Sequence, residues 1–173
     1  MKVVWVVRPA EGGIMHHLRQ LSAGLQDWEI VVAAPASLKD LLPGRRFIQL
    51  ELVDGLCPRQ DWAAVRRLKR ILKEEKAQIV HAHGLKAALI TAAALTPKRH
   101  PHFVFTAHNS LPQSPSPFLG WASNLVQRWL FSGMSTIISV SDAVRAQILR
   151  YVPESKVLTI YNGICSSEFG HYP

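Results

Sequence analysis

The residues best suited to chemistry stand just past the ends of short apolar runs. Val3-Val4-Trp5-Val6-Val7 ends in Arg8-Pro9-Ala10-Glu11-Gly12-Gly13. Ile79 to His83 runs into Gly84, His102 to Ala107 into His108-Asn109-Ser110, Thr136 to Val140 into Ser141-Asp142, and Lys156 to Tyr161 into Asn162-Gly163. Paired glycines ahead of a helix leave backbone N–H groups unpaired at the positive end of the helix dipole, which suits an anion such as a phosphate. An imidazole donates and accepts hydrogen bonds near neutral pH, which suits a hydroxyl. Taken singly, the glycines also suit a tight turn with no ligand, and His108 a ring satisfied by loop backbone.

The elements that must position these residues follow from the apolar pattern. Val3 to Val7 is too short for a helix and reads as a strand buried on both faces. Ile14, Leu18, Leu21 and Leu25 then recur at helical spacing. Glu29 to Ala34, before Pro35, reads as a second buried strand. It ends without the acidic residue that would hold a ribose, and the glycine turn lacks G-x-G-x-x-G spacing. Both features argue against a dinucleotide site. Leu38 to Leu42 makes one helical turn, Arg46 to Leu50 a strand near a sheet edge, and Asp54 to Gln60 a loop.

A helix is expected from Trp62 to Lys76, apolar at Ala63, Val65, Leu68, Ile71 and Leu72 and basic on its other faces. Further helices are expected over Leu85 to Leu95, closed by Pro97, over Phe118 to Phe131, and over Ala143 to Leu149, where Ser141 can serve as the cap. Alternation of strands and helices implies an α/β, Rossmann-like, doubly wound parallel sheet of about seven strands with helices on both faces. Its sites belong past the carboxyl ends of the strands, where strand order reverses. His81 is expected to point away from His83, on the alternation of strand positions.

A chain of 173 residues can bury the core of one domain, spanning 1–173. Its formal charge of +8 implies an anionic partner. Nucleic acid is not that partner, because the basic residues are not interleaved with aromatic ones in any recognised motif. Cys57 and Cys165 lie far apart without metal-type spacing, so no disulfide framework is expected and a reducing compartment fits. No signal peptide is visible, and the stretch Leu85 to Leu95 is interrupted by Lys86 and too short to span a bilayer. The protein reads as soluble, or bound to a membrane at its surface. No cluster of carboxylates or histidines at metal-ligand spacing is evident.

These pieces resemble the N-terminal domain of a GT-B glycosyltransferase of family 4 type. The matching motifs are Gly12-Gly13 with His17 and Leu18, Ile79-Val80-His81-Ala82-His83-Gly84, Val104-Phe105-Thr106-Ala107-His108-Asn109, Ile138-Ser139-Val140-Ser141 and Ile160-Tyr161-Asn162-Gly163-Ile164. They cover essentially the whole chain. Cys165 stands where the family usually has an aspartate, and the chain stops at Pro173, where such enzymes begin a second Rossmann-like domain. That domain, which binds most of the nucleotide-sugar, is expected as the missing partner half.

The resemblance implies transfer of a sugar from a nucleotide-diphosphate-sugar, UDP or GDP type, to a hydroxyl of a lipid-linked or cell-envelope glycan. It implies retention of configuration, no cofactor, no metal, and a cytoplasmic location, peripheral on the inner face of the membrane. It places Gly12 and Gly13 against the donor phosphates and His108 at the sugar, near the reacting carbon. His83 and Lys86 fall on the acceptor side, and Asn109 and Ser110 bind acceptor hydroxyls or turn the loop. Ser141, Asn162 and Gly163 complete the substrate-binding set, with Ser141 also suited to a helix cap. One of His16 and His17 is expected to face the crevice, and His17 holds the motif position.

The alternative is a non-catalytic module that binds a membrane surface or a protein through the basic helix. The aromatic helix carrying Trp121, Leu125, Trp129 and Phe131 would meet the missing domain, a second copy or lipid.

Overall fold

The computed structural model describes residues 1–9, 12–95, 101–112 and 117–163. The apolar runs become strands β1 (Lys2–Val7), β2 (Glu29–Ala34), β3 (Arg46–Gln49), β4 (Ile79–His83), β5 (His102–Ala107), β6 (Thr136–Ser139) and β7 (Val157–Thr159). All pair in parallel, in the order β3-β2-β1-β4-β5-β6-β7. Helices α1 (Gly13–Gly24), α2 (Pro58–Glu74), α3 (Leu85–Ala94), α4 (Pro117–Ser132) and α5 (Asp142–Ile148) connect them, with a 3-10 turn at Ala36–Leu41. Arg46 to Gln49 lies at the sheet edge, as its weaker apolar pattern implies.

Successive side chains of a strand point to opposite faces, so each central strand feeds two cores. Val3, Trp5 and Val7 pack with Met15 and Leu18 of α1. Val4 and Val6 join Val80, Ala82, Phe103 and Phe105 against α2, α3, α4 and α5. Burial on both faces is why these strands are apolar throughout rather than alternating. The buried alanines Ala87, Ala88 and Ala94 line the sheet side of α3. The chain winds one way from β1 to β3 and the other way from β4 to β7, so strand order reverses between β1 and β4.

Three local expectations change. Helix α2 begins at Pro58, four residues before Trp62. Proline at the first helical position has its φ preset and loses no hydrogen bond, and the Asp61 carboxylate accepts from the Cys57 N–H at 3.3 Å. Trp62 is therefore a second-turn residue on the open face, 65 % exposed, while Ala64, Leu68, Ile71 and Leu72 are buried. On α4, Trp121, Leu125 and Trp129 are exposed, but Phe131 belongs to the core. Strand β7 shrinks to Val157–Thr159.

Leu68 is fully buried and packed on the sheet. Leu68→Ala should cost about 2–5 kcal/mol, and Trp62→Ala less than about 0.5 kcal/mol, read from urea unfolding midpoints. Equal losses would contradict this division of the helix.

Candidate functional site

At the end of β1 the chain turns through Gly12, whose φ of +58° and ψ of −127° are costly for any residue with a Cβ. Helix α1 starts at Gly13 with no side chain capping it, among the described residues. A Cβ built on either glycine meets no atom within 4 Å, so the helix N-terminus faces open space. Arg8 reaches across the adjoining strand end. Its guanidinium pairs with Asp54 at 3.1 Å, and its stem lies over Gly84, where an added Cβ would come within 3.0 Å of Arg8 Cδ and Nε. Gly84 also has φ +89°, which strains any residue with a Cβ, and an added Cβ would make the Arg8 stem give by a few tenths of an ångström.

The histidines form one pile. His83 ends β4 and is fully buried, and His108 follows β5. His83 Nδ1 and His108 Nε2 lie 3.3 Å apart and share a hydrogen bond whose donor depends on the tautomer. The rings of His17 and His108 meet edge-on, with centroids 5.2 Å apart. His81 lies 4.0 Å from His83, ring centre to ring centre, and its Nε2 bonds Thr106 Oγ1 at 2.8 Å. Burial pushes His81 down to about 3, His108 down to about 4, and His83 well below its usual range; His17 is lowered as well. The repulsion each ring would feel from its neighbours, and His108 also from Arg8, acts in the same direction. All four rings are thus neutral at pH 7, able both to donate and to accept.

Gly13, Ile14, Arg8, Asp54, Ser37, Leu38, His108, Asn109 and Asn162 line a crevice of about 560 Å³. A second cavity of about 220 Å³ adjoins it, lined by Gly84, Leu85, Lys86, Ser110, Leu111 and Pro112. Arg8, Asp54, His108 and Asn109 border both.

The fold thus brings together Gly12, Gly13, His17, His108, Asn109 and Asn162, with Gly163 beside Asn162. Of the two histidines after the glycines, His17 joins the pile, while His16 Nε2 lies 2.8 Å from Gln20 Nε2. Two expectations are corrected, for His83 and His81, while Lys86 lines the second cavity with its charge paired and Ser141 serves as the expected cap. His83 is no surface ligand, since it is sealed beneath His108. His81 shares its face, because positions two apart in a strand point the same way. The Lys86 ammonium is committed to Asp61, at 2.7 Å, and to the Gly55 carbonyl, tying α3 to α2 and its preceding loop. Ser141 accepts from the Val144 N–H at 3.3 Å and caps α5.

The absence of a histidine cluster is corrected too. Nitrogens of His17, His83 and His108 converge within 4.8 Å, although the three are remote in sequence. Arg8 and Asp54 were not foreseen, although Arg8 is the first charge past a central strand. Cys165, Pro97 and loop residues 113–116 lie outside the described residues.

The profile of Glycosyltransferase Family 4 matches residues 11–168. Among solved structures, HepE from Anabaena in complex with UDP and glucose is 18 % identical, with a TM-score of 0.72 over 100 % of this chain and 47 % of its own. The lipopolysaccharide outer core galactosyltransferase WaaB is 15 % identical, with a TM-score of 0.73 over 95 % of this chain and 46 % of its own. The UDP-GlcNAc 2-epimerase of Methanocaldococcus jannaschii is 16 % identical, with a TM-score of 0.61 over 94 % of this chain and 46 % of its own. At such identities the likeness establishes the fold, and the chain spans about half the length of these structures. No curated protein matches the chain at a significant level.

The buried histidines predict a pH dependence. The unfolded chain takes up their protons near pH 6.5, whereas the folded chain resists until about 4 at His108 and about 3 at His81. Stability should therefore fall as pH drops below 6.5, by at most about 1.4 kcal/mol per pH unit for each histidine held neutral. Urea midpoints at pH 7.5 and 5.0 should differ, and less so in His108→Gln. A midpoint unmoved by pH would contradict the burial of these rings.

Proposed function

This chain belongs to Glycosyltransferase Family 4, and from that premise we propose that it forms the acceptor-side half of an enzyme that moves a sugar from a nucleotide-diphosphate-sugar to a hydroxyl. One observation carries the reading: His108 borders both the crevice that holds the open start of α1 and the adjoining cavity. The donor diphosphate lies against the N–H groups at Gly12 and Gly13. As the bond from the anomeric carbon to the diphosphate breaks, charge gathers on the departing phosphate, and fixed amides and the helix dipole stabilise it. Neutral His108 hydrogen-bonds a hydroxyl of the sugar. Asn109 and Ser110 hold the acceptor, whose oxygen forms the new bond to the anomeric carbon while its proton passes to the departing diphosphate.

In this reading the dipole and free amides at the start of α1 take the place of a divalent ion, no cofactor is needed, and configuration is retained as in the resembling family. The nucleotide is UDP or GDP; the UDP and glucose bound to HepE favour the first. The chain spans only about half of such structures, so a second Rossmann-like domain would supply most of the donor site.

The acceptor is a lipid-linked or cell-envelope glycan reached at the inner face of the cytoplasmic membrane. Support comes from the formal charge of +8 and from Arg59, Arg66, Arg67, Lys69, Arg70 and Lys73, all exposed on α2, which also exposes Trp62. Among the described residues no helix is long and apolar enough to cross a membrane. The same face also suits a non-catalytic docking role. Sedimentation with anionic vesicles should carry the chain down and neutral vesicles should not; no difference would remove the membrane from the reading.

Adding UDP or GDP to the 15N-labelled chain should shift the amides of Gly12, Gly13, His108 and Asn162. Gly13→Ala has room for its methyl group and a helical backbone, so it should fold normally yet weaken those shifts. In a protein joining this chain to a donor-binding second half, His108→Ala should lower transfer by about 10²-fold or more. Unmoved site amides, or full transfer by His108→Ala, would defeat the assignment. An epimerised nucleotide-sugar as sole product would reassign the chemistry.

A further inference from the structure

We propose that His17, His83 and His108 form a binding site for a divalent transition metal, zinc in the first instance, with the fourth coordination position open to the crevice. The three rings come from α1, the last residue of β4 and the residue after β5. One nitrogen from each lies within 4.8 Å of the others. Tetrahedral zinc holds imidazole nitrogens at about 2.0–2.1 Å, which sets neighbouring ligand atoms roughly 3.3 Å apart. His83 Nδ1 and His108 Nε2 stand 3.3 Å apart. That pair is already at ligand spacing, and only His17 must close in. His17 is a half-buried residue of the helix that opens onto the crevice, so its side chain is the least confined of the three.

The rings are also uncommitted. His83 and His108 have no hydrogen-bond partner other than each other among the described residues, and their far nitrogens, Nε2 and Nδ1, have none. A metal therefore displaces one imidazole–imidazole bond and breaks no tie to the scaffold. His81, by contrast, is held by Thr106 and stays outside the site. The donor set is all imidazole, without carboxylate or sulfur. Such a set favours zinc, nickel or copper over magnesium or calcium. Three protein ligands and an open position are the arrangement of an accessible zinc ion rather than a closed structural one.

The bound ion would occupy the place where His108 meets the sugar, and so would compete with the donor. That consequence rests on the proposed function; metal binding itself rests on the histidine geometry alone.

Zinc titrated calorimetrically into the metal-free chain should bind at one ion per chain, and cobalt should give the visible absorption of a four-coordinate ion. Magnesium should give no heat. His17→Gln and His108→Gln should each weaken zinc by more than the roughly 10–100-fold that loss of a supporting partner costs. His16→Gln and His102→Gln should leave it unchanged. Circular dichroism confirms that each variant is folded, and His83→Gln is left aside because its ring is fully buried. Zinc binding that survives His17→Gln and His108→Gln, or that is lost in His16→Gln, overturns the site. UDP shifts on the metal-free chain decide the transferase reading separately. Zinc without UDP binding would leave the metal site standing and remove the donor site, and UDP without zinc binding would do the reverse.

Discussion

Parallel pairing of β1 with β4 is the constraint on which the rest of the molecule depends. Its register sets Trp5 beside His81 and Val7 beside His83. The next pairing sets His83 beside Thr106, two residues before His108. Because every strand runs the same way, the chain leaves β1, β4 and β5 at one edge of the sheet. Because strand order reverses between β1 and β4, the connections diverge there and leave a crevice instead of covering it. The glycine turn, Arg8, Gly84 and His108 meet at this edge as a consequence of topology.

The electrostatics of the crevice follow from the same arrangement. Four imidazoles packed in one pile, with His83 against Trp5, cannot easily carry charge, since burial and mutual repulsion both oppose protonation. The positive character of the site therefore comes from the start of α1, which no described side chain caps, because the Arg8 guanidinium, though it does not titrate near neutrality, is paired with Asp54. A neutral imidazole beside fixed positive potential suits a substrate with hydroxyls at one end and phosphates at the other. Lys86 adds little to that field, because Asp61 neutralises it.

The same sheet supports proteins described as galactosyltransferases and as nucleotide-sugar epimerases, so the fold cannot by itself select a reaction. Selection lies in the side chains at the strand ends, and in this chain a small set shapes the site. Gly84 admits the Arg8 stem across the gap. Asp54 holds the guanidinium between the two cavities. His83 supports His108 from below. Each is a small local feature, and together they place His108 between an anion-binding helix start and a second pocket.

Local signals carried much of this in the linear chain. Apolar runs too short for helices, with glycine or polar residues after them, marked five of the seven strands, and Ser141 marked the start of α5, because strand burial and helix capping involve residues close in sequence. The pairing of Gly13 with His108 at one crevice was legible from the rule for parallel sheets. Packing decided what remained. Whether His16 or His17 turns inward depends on the angle of α1 against the sheet. Whether His83 meets solvent depends on what lies above it, and that is His108. Whether Lys86 is free depends on Asp61, contributed by another helix. The convergence of three histidines, and the placing of Arg8 over Gly84, needed strand register and crossover geometry, which set distances between segments that no local pattern encodes.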